Sequence, residues 1–214
     1  MPMDLLRRAA AAEDPADARD ALTSALRAAN DRIWVHRNVA RIYREHVGDV
    51  AAAKRVLDEL SPLTGIEWRL AAAGWTEVGD RDRAAACLER AASNARTPGD
   101  LCTIALGYRE AGYPDEGRLL VDGADTIAGR ALDCWTVASV QRAFGLEPVA
   151  ILERGLADAT DVSEIITFAH ALAGFGADRE KLESALGRAK ASTVDGWLAL
   201  ALAHVQLLDD RAVA

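Results

Sequence analysis

The side chains of this 214-residue chain that could do chemistry are few and scattered. Four histidines stand at 36, 46, 170 and 204, and three cysteines at 87, 102 and 134. A metal site needs such groups to converge at helical or turn spacing. His36 and His46 are ten residues apart and the other two lie further off, so no metal site and no cofactor is expected. The cysteines lack the short spacings of a metal knuckle or redox pair, and their odd number fits a reducing, cytoplasmic setting. No glycine loop that cradles phosphate and no nucleophile elbow occurs. Carboxylates are plentiful, but solvated helix faces account for them. No catalytic residue is assigned, and the expectation is a protein that is not an enzyme. What remains are arginines and tryptophans. A guanidinium binds carboxylate bidentately and stacks on an aromatic ring, which is chemistry for recognition.

The elements that must position these groups are helices. Half the residues are apolar but only 5% aromatic, and alanine fills 45 positions, a composition that favours helix over sheet. The 33 acidic residues exceed the 25 basic ones, for a net charge of −8. Arginines outnumber lysines 22 to 3 but are interleaved with Asp and Glu, as in 79–83, so no basic stripe forms and nucleic acid is not an expected partner. The longest apolar run, 197–208, has 12 residues and is too short to span a membrane. The segment 1–15 has no secretory-signal pattern, since its basic pair follows the leucines.

The chain repeats itself. Turn-like glycines stand at 48, 79, 112, 145 and 176, spaced by 31, 33, 33 and 31 residues. A second marker, a leucine about nine residues beyond each turn, recurs at 26, 57, 88, 120, 152 and 186. Apolar residues before the glycine follow a helical period, best seen at Trp68, Ala71, Ala72 and Trp75; Ala84, Leu88 and Ala91 do the same after it. Each unit therefore reads as two helices of about 11–14 residues. The glycine ends the first helix, Asp80 or Asp178 caps the second, and Pro114 or Pro148 falls in its first turn. Breaker clusters at Asn30-Asp31, Ser61-Pro62, 97–100, Thr160-Asp161 and Ser192-Thr193 separate the units. The prediction is six hairpins, with turns near 15, 48, 79, 112, 145 and 176, and a final helix over 194–208, all in a single domain over 1–214.

In the unit from about 65 to 98, Trp68, Ala71, Ala72, Trp75, Gly79, Ala84, Leu88 and Ala91 stand at the offsets of the tetratricopeptide repeat (TPR), a family this chain resembles. Leu101, Ile104, Ala105, Tyr108, Gly112, Gly117, Val121 and Ala124 repeat the pattern. The units around 48, 145 and 176 depart from it: Arg37, Arg41 and Arg44 hold signature places in one, and another has an extra residue at Ala177. The resemblance implies a fold: an all-α, right-handed α-solenoid of about six helix-turn-helix repeats plus a final helix.

It also implies that the first helices of the repeats line a groove for a peptide or protein segment. Carried over by position, the groove offsets give Asn38, Arg69, Arg109, Trp135, Arg142 and His170, with Cys102, Leu106, Thr76, Glu77 and Glu110 among their neighbours. Trp68 and Trp75 fall at packing offsets, whereas Trp135 lies one residue past Cys134 and turns about 100° towards the adjacent face. The arginines would bind an acidic or C-terminal peptide segment, or else pair with Glu77 and Glu110 on a solvated face.

The helix over 194–208 is the second candidate surface. Only His204 and Gln206 interrupt its apolar run, and Trp197, Leu198, Leu202 and Val205 would meet a partner or a second copy, giving a homodimer. The alternative is that the tail is a piece cut from a longer chain. The functional expectation is a cytoplasmic protein–protein interaction scaffold or adaptor. A regulatory domain that senses a ligand or peptide is the alternative, and an all-helical enzyme ranks behind it.

Overall fold

Local backbone geometry at the repeated glycines sets the fold's rhythm. Gly48, Gly79, Gly112, Gly145 and Gly176 all have positive φ, between 71° and 91°. At Gly79 this left-handed residue reverses the chain and lets two amides return to the helix end: Gly79 N–H donates to Thr76 at 3.0 Å and Asp80 N–H to Trp75 at 2.9 Å. The same longer bond joins Tyr113 to Tyr108, Leu146 to Gln141 and Ala177 to Leu172.

The computed structural model describes residues 1–29 and 32–208; the breaker at Asn30-Asp31 lies outside them. Among the described residues are thirteen α-helices and no strand. In chain order they are α1 (Pro2–Ala11), α2 (Pro15–Arg27), α3 (Ile33–Ile42), α4 (Val50–Asp58), α5 (Gly65–Glu77), α6 (Arg81–Asn94) and α7 (Pro98–Ala111). They continue as α8 (Pro114–Ile127), α9 (Ala131–Ala143), α10 (Val149–Asp158), α11 (Val162–Ala173), α12 (Arg179–Gly187) and α13 (Val194–Leu208). A π turn, Tyr43–Val47, extends α3. It takes up one extra residue, so the bond closing that turn runs from Asp49 N–H to Tyr43, a residue further back than in the other four.

Helix starts follow side-chain chemistry. Asp14, Asp49, Asp80, Asp161 and Asp178 each accept a backbone N–H in the first turn of the next helix. Thr64 and Glu67 form a reciprocal capping box on α5. Pro114 opens α8, whereas Pro148 stands at the cap of α10, one place before its first turn. Ala177 lengthens the turn before Asp178 by one residue compared with Gly79-Asp80. The helices α4 and α12, nine residues each, are shorter than the expected 11–14, and α13 spans the expected 194–208.

Packing divides the chain into two compact units: Met1–Arg96 with Thr103–Leu120, and Thr97–Cys102 with the chain from Val121 onward. In the first unit α1 packs on α2, α3 on α4 and α5 on α6, and the first helices α3 and α5 also meet. A continuous core runs from Leu6 to Ala111, with Ala71, Ala72, Ala84 and Ala91 all buried. Small residues allow close approach. A Cβ on Gly74 of α5 would lie 2.8 Å from Leu57 of α4, and one on Gly107 of α7 would lie 2.8 Å from Leu88 of α6. Leucines of the second helices thus seat on glycines of the following first helices.

In the second unit α9 packs on α10, α11 on α12, and α13 on both α11 and α12. Gly155 of α10 has the same use: an added Cβ would collide with the Phe168 ring and lie 2.8 Å from Cys134 Cβ. The buried amide of Gln141 donates to Asp125 at 3.2 Å, and Asp125 also accepts Arg154 at 2.6 Å. The marker leucines 57, 88, 152 and 186 are buried, and 26 and 120 half-buried.

Candidate functional site

In the first unit, α5 and α7 leave a depression of 130 Å³ between them. Arg69, Ala73 and Thr76 line it from α5, Thr103, Leu106, Gly107 and Glu110 from α7, and Leu88 forms its floor. The floor exists because Gly107 has no side chain to displace that leucine. Thr76 Oγ1 donates to the Ala72 carbonyl at 3.0 Å, which leaves its lone pairs facing outward as acceptors. Among the described residues Arg69 has no hydrogen-bond or ion-pair partner. The depression therefore pairs one available cation with one carboxylate, Glu110, over an apolar base.

Glu77 is turned elsewhere. Arg37 of α3 grips its carboxylate, with Nε at 3.1 Å, and Arg44 donates to its backbone carbonyl. This contact raises the Arg37 pKa, first through the Glu77 hydrogen bond. Of the arginines at signature places of that repeat, Arg37 is thus ion-paired across helices, whereas Arg41 and Arg44 pair locally with Glu45, and Glu77 is engaged by Arg37 rather than by Arg69 or Arg109. Glu77 Oε2 is buried and has no hydrogen-bond partner among the described residues.

In the second unit, α9 and α11 enclose a cleft of 170 Å³ lined by Ala131, Leu132, Trp135, Ser163, Glu164, Thr167 and Phe168. Trp135 stands edge-on to Phe168, with ring centroids 5.6 Å apart and planes at 89°. Phe168 is buried, while Trp135 is 37% exposed and Leu132 67%. Thr167 Oγ1 donates back to the Ser163 carbonyl at 2.7 Å. Neither the Trp135 indole N–H nor the Glu164 carboxylate has a hydrogen-bonding partner among the described residues.

The groove residues expected from sequence are thus only partly brought together. Arg69 lines the first depression and Trp135 the second. Asn38 is half-buried and occupied locally, donating to the Trp34 carbonyl at 2.8 Å and accepting from Arg41 at 3.4 Å. Arg109 is exposed on α7 but does not line the depression. Arg142 lies over the Phe175 ring at 5.6 Å, and His170 is exposed two turns beyond Ser163. Cys102 is buried, not groove-facing. A helix turns about 100° per residue, so offsets carried over one place out of step move a side chain off the face. Leu132, Glu164, Thr167, Phe168, Thr103 and Gly107 lie outside the expected groove set, although i, i+3, i+4 spacing puts Leu132 on one face of α9 with Trp135, Thr103 on one face of α7 with Leu106 and Gly107, and Glu164, Thr167 and Phe168 on one face of α11.

On α13, Leu200 and Ala203 are buried, while Trp197, Leu198, Leu202 and Val205 are exposed with Val194. The three cysteines are buried. Burial pushes the Cys102 thiol up to about 11 and raises Cys87 and Cys134 as well, so thiolate chemistry is suppressed. Among the described residues no three His, Cys, Asp or Glu groups converge, and no helix is long and apolar enough to cross a membrane. No family model, no curated protein and no solved structure matches the chain.

Proposed function

We propose that this chain is a non-catalytic scaffold of the TPR-like, right-handed α-solenoid type, holding an extended segment of a partner protein on the faces of its first helices. One observation carries this reading. In each unit a side-chain-sized depression opens between consecutive first helices, α5 with α7 and α9 with α11, and each contains a residue with binding capacity to spare. Both volumes fall below the roughly 300–1,000 Å³ of pockets that enclose a small molecule. They suit single side chains of a longer ligand.

In the first depression Arg69 receives the carboxylate of an acidic or C-terminal residue, and Glu110 and Thr76 accept from the ligand's backbone or ammonium groups. The test is fluorescence anisotropy with a fluorescein-labelled hexapeptide ending in Asp-Glu with a free carboxylate. Binding should weaken at least about tenfold on Arg69→Ala, the effect of deleting a charge-assisted hydrogen bond at an interface. Equal affinity of the two proteins would remove the reading.

The exposed apolar face of α13 supports self-association as a second use of the surface. Light scattering on Leu198→Asp should then report a smaller mass than the parent chain at high concentration. A parent that stays monomeric there would dispose of it.

A further inference from the structure

The α9–α11 cleft has a chemistry opposite to that of an acid-binding groove. Its walls, Leu132, Trp135 and Phe168, are apolar, and its rim carries a carboxylate, Glu164, that nothing in the described chain neutralises. The two helix N-termini beside it would ordinarily draw an anion. That anion is already built in: Asp161 accepts the Ser163 N–H at 2.7 Å and Asp158 accepts the Ala131 N–H at 2.8 Å. Asp133, the next acid on α9, is held by Arg130 at 3.1 Å. Arg142, further along α9, stands two turns from Trp135 and lies over Phe175. Glu164 is therefore surplus negative charge at the mouth of an apolar slot.

The wider charge agrees. Residues 97–102 and 121–208 carry 13 Asp and Glu against 7 Lys and Arg, a net −6 of the chain's −8, so most of the net negative charge resides in this unit. The Trp135 indole adds a donor that is not used internally. An apolar slot with one spare donor and one spare anion matches a particular ligand: an aliphatic or aromatic side chain followed closely by Lys or Arg.

We infer that the α9–α11 cleft binds a basic-apolar segment of a partner protein, whose apolar side chain enters beside Trp135 and Phe168, whose flanking cation pairs with Glu164, and whose backbone carbonyl accepts the Trp135 indole N–H. This rests on the scaffold reading above and specifies the ligand for its second depression. Screening predicts that the interaction weakens as salt rises, because the ion pair sits at a solvent-accessible rim.

The experiment uses the full ¹⁵N-labelled chain and follows the indole N–H resonance of Trp135. Three amidated pentapeptides serve as probes: Lys-Ala-Leu-Ala-Lys, Glu-Ala-Leu-Ala-Glu and Lys-Ala-Ser-Ala-Lys. The first should shift the Trp135 resonance in a saturable way and the other two should bind more weakly. Glu164→Gln should weaken the first peptide about two- to fivefold, as expected for a rim ion pair, while leaving the fold intact. Leu132→Ala should weaken it about tenfold, and its exposed position keeps that variant folded. Trp135 unmoved by any peptide, or moved equally by the lysine- and glutamate-flanked leucine peptides, would overturn the proposal. If the acidic hexapeptide still binds in an Arg69-dependent manner in that case, only the cleft's specificity falls. If neither class binds, the scaffold reading falls with it.

Discussion

The depression between α5 and α7 and the cleft between α9 and α11 are of similar size, 130 and 170 Å³, and each lies between successive first helices, yet their linings differ in kind. The first has Arg69 and Glu110 over a leucine floor; the second has an aromatic pair beneath a lone carboxylate. The difference begins beneath the surface. Leu88 reaches the first floor because it seats against Gly107, and the seat keeps the floor aliphatic and low. In the second unit the small residue is Gly155 of α10, on the second helix, and the large partner is Phe168 of α11. The ring comes from the first helix itself, so Trp135 has an aromatic edge to stand against. Where the glycine sits thus goes with whether the depression has an aliphatic or an aromatic floor.

The largest test of this contrast is Phe168→Ala, which removes the cleft floor and the support of Trp135. It should destabilise the second unit by about 3–5 kcal/mol, measured by urea unfolding. Leu88→Ala should cost the first unit about 2–5 kcal/mol by the same mechanism. A cost under about 1 kcal/mol for either would mean that the floor is not tightly packed. Next comes the ion pair that withdraws Glu77 from the first depression. Arg37→Ala should cost about 1 kcal/mol, since both partners are still partly exposed, at 35% and 24%. It should also free Glu77 to compete for Arg69, weakening binding of the acidic peptide.

The pH dependence sharpens the comparison from another side. The Lys54 hydrogen bond at 2.7 Å holds the Asp80 carboxyl below its ordinary 3.8. A depressed carboxylate contributes stability that is complete above 3.8 and is lost as pH falls through the lower folded value. Acid unfolding of the first unit should therefore begin at higher pH in Lys54→Ala than in the parent chain, followed by circular dichroism. An unchanged midpoint would mean that the pair adds nothing. The smallest expected effect is that of Arg69→Ala on folding: within about 0.5 kcal/mol, because the side chain has no internal partner to lose. A larger effect would recast Arg69 as structural.

Much of the scaffold was legible in the amino-acid order because its punctuation is local. A positive-φ glycine, an aspartate cap and an alanine at a close contact act within a few residues, so the helix number and the turns at 48, 79, 112, 145 and 176 could be read directly. The π turn after α3 could not, because its sign is a bond one residue longer with no fixed residue type. The glycine seats at 74 and 107 left a signal, a helix-interior glycine five residues before a turn glycine, but its meaning depends on a leucine from another helix. The site suffered most. Arg69 and Trp135 line the two depressions, whereas Arg109 lines neither and Cys102 is buried, since a register carried over from elsewhere tolerates no slip. The Arg37–Glu77 contact joins residues 40 apart, beyond any local pattern.

Gly107 links the packing of the first unit to the shape of its depression. A single methyl group there would collide with the end of the Leu88 side chain and drive it up into the depression or aside. Adding one carbon at this half-buried position within α7 would then alter the height of the floor under Arg69 while leaving the charged side chains around the depression unchanged. The shape of such a surface can change through its foundations while the groups at its rim stay the same.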